Sequence, residues 1–67
     1  MKVTVQNNKV NLFLKELEVL MNDDIVLKIT ERDFWTTITL DLCEDEDEQT
    51  CMHVELLLEE ILLEDFR

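Results

Sequence analysis

Apolar residues in this chain never run for more than three in succession, as at Leu56-Leu57-Leu58, yet they make up 46% of it. Short apolar runs broken by polar residues belong to elements with one wet side and one dry side. No stretch supplies the ~20 apolar residues of a transmembrane helix, or the core of a signal peptide. A cytoplasmic domain is the expectation. The 67 residues leave room for one domain, residues 1–67. A domain of that size buries only ~60% of the surface its unfolded chain exposes, so either very good packing or a partner subunit is expected. The periodic placement of the apolar residues argues against disorder, the usual alternative for a strongly acidic chain.

Residues 2–6, Lys-Val-Thr-Val-Gln, alternate polar and apolar and predict a strand with Val3 and Val5 inward. Asn7-Asn8 is a turn signal, and either asparagine is suited to cap the helix that follows. Over residues 9–22, Asn11, Lys15, Glu18 and Asn22 form one wet stripe at helical spacing, and Val10, Phe13, Leu14, Leu17, Leu20 and Met21 fill the opposite side. A hairpin turning at Asn7-Asn8, with Val10, Leu12 and Leu14 on one face, is the rival reading.

Residues 25–42 alternate with period two on both sides of Glu31-Arg32-Asp33, which predicts a β-hairpin. A two-residue loop at Arg32-Asp33 pairs Ile29 with Thr36, Leu27 with Ile38 and Ile25 with Leu40, collecting the aliphatic residues on one face. The other face then carries Val26, Lys28, Thr30, Trp35, Thr37 and Thr39. Residues 43–49 read as an acidic connector. A helix is expected from about residue 50, or two to four residues earlier, to about residue 65. Its main apolar face is Val54, Leu57, Leu58, Ile61 and Leu62. A second stripe, Met52, Leu56, Leu63 and Phe66, lies nearly opposite, with Glu55 and Glu59 between the stripes on one flank and Glu60 and Glu64 on the other. One sheet cannot cover both stripes, so the first helix or a second molecule must meet the remainder. The expected fold class is α+β: strand, helix, β-hairpin, helix, in a small two-layer domain with a mainly antiparallel sheet and the C-terminal helix packed on it. The first strand is placed beside the third, joined through the first helix by a right-handed crossover.

Charge narrows the function classes. The chain holds 17 acids and 6 bases, a net charge of -11. Residues 1–40 carry six acids and five bases, whereas residues 41–67 carry eleven acids and one base. Nucleic acid and anionic membranes are repelled by such a chain, and its natural partners are basic protein surfaces. The sequence contains no Gly, Pro, Ala, Ser or Tyr. Phosphate-cradling loops, dinucleotide fingerprints and a serine nucleophile are thereby excluded. The connector has no glycine for an EF-hand loop. Cys43, Cys51 and His53 are spaced too widely for a usual zinc site, and a Cys43–His53 nucleophile would lack an orienting residue. Reduced thiols and a surface histidine among acids are expected, with no cofactor, no metal and no catalysis.

The acids of the last third are the strongest functional signal. Glu55/Glu59 and Glu60/Glu64 are like-charge i,i+4 pairs, ~5–6 Å apart at Cβ, each destabilising an isolated helix by a few tenths of a kcal/mol. That separation is of the order of the spacing of neighbouring phosphates, which rise ~3.4 Å per nucleotide along a DNA strand. Carboxylates fixed in such rows suit a groove whose Arg and Lys side chains are arranged for a phosphate backbone. The expected partner-binding residues are Glu44, Asp45, Glu46, Asp47, Glu48, Glu55, Glu59, Glu60 and Glu64, with Trp35 as a further contact. In size, acidity and lack of catalytic machinery the chain resembles the small inhibitors made by phages and mobile elements. That resemblance implies a DNA-mimic-like protein blocking a nucleic-acid-binding host protein: a defence nuclease, a CRISPR effector, or a transcription or repair factor. The alternative expectation is a homo-oligomeric structural or adaptor domain, a dimer joined through Met52, Leu56, Leu63 and Phe66.

Overall fold

The computed structural model describes residues 1–21 and 23–63, and of Asp23 the main chain alone. The alternating segment at the start forms strand β1, Lys2–Gln6. A 3-10 turn, Asn7–Lys9, leads into helix α1, Val10–Leu20, and the rival hairpin at Asn7-Asn8 is not formed. A second 3-10 turn, Asp23–Ile25, precedes strand β2, Val26–Glu31, and strand β3, Trp35–Leu40. Helix α2, Glu48–Leu63, follows. It begins two residues ahead of residue 50, so Glu48 and Gln49 belong to the helix and not to the connector. The sheet order is β1-β3-β2, with both neighbours antiparallel to β3. The first strand thus lies beside the third, and β1 and β2 point the same way on either side of it. This is a small α+β domain with α2 packed on a three-stranded antiparallel sheet.

Strand alternation selects the buried face. Val3, Val5, Thr36, Ile38 and Leu40 point inward, and Phe13 and Leu17 of α1 and Cys51, Val54 and Ile61 of α2 close over them. Fully burying an aliphatic or phenyl side chain of this kind stabilises the fold by roughly 1.5–3 kcal/mol. Met1, Val10, Leu14, Met21, Ile25, Val26, Leu57 and Leu58 pack half-buried around that centre. Of the expected helix faces, Leu20 and Leu62 stay about half exposed.

The hairpin register differs from the expected one. Ile29 pairs with Ile38 instead of Thr36, Thr30 with Thr37 and Glu31 with Thr36. The loop is Asp33-Phe34, closed by the Arg32 N–H donating to the Trp35 carbonyl at 2.8 Å. The pairing has slid by two, and an even slide leaves every side chain on its own face, so the aliphatic pattern does not distinguish the two registers. A bulge between Val26 and Lys28 then exchanges two neighbours: Val26 pairs with Leu40 and packs on the core, while Leu27 is 61% exposed.

Asn7 supplies what the pattern lacks. Its Nδ2 donates to the carbonyls of Arg32 at 2.8 Å and Asp33 at 3.2 Å, and its N–H donates to Phe34 O at 3.1 Å. The Thr36 hydroxyl donates to Asn7 Oδ1 at 2.7 Å. A two-residue hairpin loop favours left-handed residues, which glycine provides. Among the described residues none has positive φ, and the turn is instead gripped from β1. Asn7 is therefore a clasp and not a helix cap, and no side-chain cap bond forms at the start of either the 3-10 turn or α1. At its other end α1 stops without a left-handed residue: Met21 turns to extended backbone while its N–H still donates to Leu17 O at 2.8 Å.

Candidate protein-binding face

The acidic connector is organised by one of its own acids. Asp47 Oδ2 accepts the Cys43 N–H at 2.9 Å, and Cys43 O accepts the N–H groups of Glu46 at 3.1 Å and Asp47 at 2.6 Å. The Asp47 carbonyl accepts the Cys51 N–H at 2.9 Å, the bond that starts α2. Asp47 is half-buried and holds the turn, while Glu44, Asp45 and Glu46 project around it, exposed. Glu48 stands in the first turn of α2, where a carboxylate is favoured by the helix dipole.

Along α2 the two stripes separate as 100° per residue requires. Cys51, Val54 and Ile61 are buried against the sheet. Met52, Leu56 and Leu63 face the opposite way and are 54%, 53% and 55% exposed. Glu55 and Glu59 border that outward stripe on one side, Glu60 and His53 on the other, all exposed. The helix carries no Lys or Arg. Of the expected contacts, Glu64 and Phe66 lie outside the described residues, as do Asn22 of the wet stripe expected on the first helix and the stretch of helix expected beyond Leu63.

Helix α1 lies beside α2 and changes what the outward face offers. A shallow groove of about 410 Å³ runs between them, lined by Glu16, Val19, Leu20, His53, Leu56, Leu57 and Glu60. Its floor is apolar and its rim holds two carboxylates, one from each helix. Glu16, Val19 and Leu20 are absent from the sequence-derived set of contacts. Their own periodicity marks them as ordinary helix positions, and only the side-by-side placement of α1 and α2 brings them to Leu56.

The opposite face of the molecule has another character. The outward positions of the sheet are Lys2, Thr4, Gln6, Lys28, Thr30, Trp35, Thr37 and Thr39, without one acid among them. Thr4, Thr37 and Thr30 form one cross-strand row, and Lys2, Thr39 and Lys28 the next. Trp35, 48% exposed, also lines a cleft of about 240 Å³ with Thr4, Gln6, Lys9, Leu58, Glu59 and Leu62. It stands apart from the groove between the helices.

The thiols are not brought into a site. Cys43 is exposed and Cys51 buried. Burial pushes the Cys51 thiol above its ordinary range, and the Glu44 carboxylate adds to the shift. Among the described residues no three His, Cys, Asp or Glu side chains are grouped to share a cation. No helix among them is long and apolar enough to cross a membrane.

Comparison with protein-family models, curated proteins and solved structures finds no match. The reading of function therefore rests on the geometry.

Proposed function

We propose that this chain is a small acidic binding protein that docks its connector and α2 on the cationic, nucleic-acid-binding surface of another protein. It acts as a DNA-mimic-like inhibitor of the phage or mobile-element type, by occupation and not by catalysis. The observation that carries this reading is the fixed display of carboxylates. Glu44, Asp45, Glu46, Glu48, Glu55, Glu59 and Glu60 are all exposed, on a turn held by Asp47 and on a helix anchored through Cys51, Val54 and Ile61. Carboxylates held in place by a folded scaffold bind a guanidinium or ammonium row with less ordering cost than a mobile tail.

The test begins with recovery of a partner at low salt and its identification. Its affinity is then measured across a salt series, with duplex DNA as competitor. Affinity should fall steeply with salt, DNA should displace the chain, and the triple variant Glu55→Gln, Glu59→Gln, Glu60→Gln should bind at least about tenfold more weakly. An affinity indifferent to salt and to those substitutions removes the reading.

A second reading, a homo-oligomeric adaptor, is favoured by the half-exposed stripe Met52, Leu56 and Leu63. The glutamates on both borders of the stripe oppose it, because a second copy brings the same charges. Light scattering at high concentration separates the two: a dimer dispersed by Leu63→Asp supports the second reading.

A further inference from the structure

We infer that the groove between α1 and α2 receives an amphipathic helix of the partner protein, one whose apolar stripe is bordered by lysines and arginines. The inference rests on the proposed cationic partner and adds how that partner is held. Val19 is 81% exposed, Leu20 48% and Leu56 53%, and the three meet in one groove. Large apolar side chains gathered on the surface of so small a domain mark an interaction site. Along α2 the groove runs from His53 to Glu60, about 10 Å at 1.5 Å per residue, the length of about two helical turns.

Three features select the occupant. The groove lies between two helices and offers no free strand edge, so an added strand gains no backbone hydrogen bonds there, whereas a helix laid in it needs none. Glu16 and Glu60 line it, Glu55 and Glu59 border the outward stripe beyond it, and among the described residues no Lys or Arg lines it. A second copy of the chain would bring carboxylates against carboxylates. A helix with cationic borders instead sets its apolar stripe on Val19, Leu20 and Leu56 and its ammonium or guanidinium groups beside the glutamates.

The probe is a synthetic helical peptide of about 18 residues, leucines on one face and Lys and Arg on its borders, against a scrambled peptide of identical composition. Binding is followed by the amide resonances of the labelled protein. The amphipathic peptide should bind at least about tenfold more tightly than the scrambled one. The shifts should centre on Val19, Leu20, His53, Leu56 and Leu57. Val19→Asp and Leu56→Asp, both at exposed positions, should each cancel the difference while leaving the circular dichroism unchanged. Equal, salt-sensitive binding of the two peptides overturns the groove while leaving the cationic partner standing. Absence of binding by either peptide overturns both. A homodimer dispersed by Leu56→Asp gives the groove to a second copy and overturns the inference.

Discussion

Thr36 is the polar side chain buried in the described core, 2% exposed, and its hydroxyl is satisfied by Asn7. Removing one partner of a buried hydrogen bond costs more than removing both. Asn7→Ala should lower the unfolding free energy by about 1–3 kcal/mol. Adding Thr36→Val should recover part of the loss, as a double-mutant cycle in urea would show. The same residue scale governs the cysteines. Cys51, buried with its thiol shifted upward, should be alkylated about tenfold or more slowly than the exposed Cys43 in the native protein, with the difference vanishing in denaturant. Because the folded state favours the protonated thiol, its contribution to stability is intact below the ordinary value of 9.0 and is lost as pH rises through the higher folded value. Alkaline titration of the denaturation midpoint should show that decline, and Cys51→Val should flatten it.

At the scale of the element, α2 answers to two demands with opposite signs. Glu55 and Glu59, four residues apart on an exposed face, repel each other. Glu59→Gln should therefore raise thermal stability by a few tenths of a kcal/mol while weakening partner binding. Ile61→Ala, in contrast, should cost about 2–5 kcal/mol, being a buried truncation. The division of α2 into a buried side with Val54 and Ile61 and an outward side with Met52, Leu56 and Leu63 was legible in the sequence, because a period of 3.6 residues displays it without reference to anything else. The faces of β3 were legible for the same reason, with period two, whereas in β2 Leu27 and Ile29, expected inward, are 61% and 48% exposed. The register was not: it depends on Asn7, more than twenty residues away from the turn it grips, and an asparagine ahead of a helix reads as a cap. The exchange of Val26 for Leu27 was likewise hidden, since a bulge breaks the alternation from which faces are inferred. The groove was half legible. Leu56 stood out as surplus to one sheet, but Val19, Leu20 and Glu16 acquire their role from the way one helix lies along another.

At the scale of the whole molecule the two faces differ in charge. The outer face of the sheet carries Lys2 and Lys28 and no acid, while α2 and the connector carry the excess negative charge. A net charge of -11 on so small a body repels itself when folded. Moderate salt should therefore raise the denaturation midpoint even as it weakens docking, and a midpoint that falls between low and moderate salt would contradict this. The bulge at Leu27 bears on a different hazard. It interrupts the regular spacing of unpaired backbone groups along the outer side of β2, and the exposed Lys28 sits beside the interruption. Irregular, charged rims of this kind are poor templates for adding strands. Among the described strands the register of β1 with β3 runs without such a break, so any lateral growth of the sheet should be discouraged on the β2 side, where a fibril would need a second regular edge to propagate.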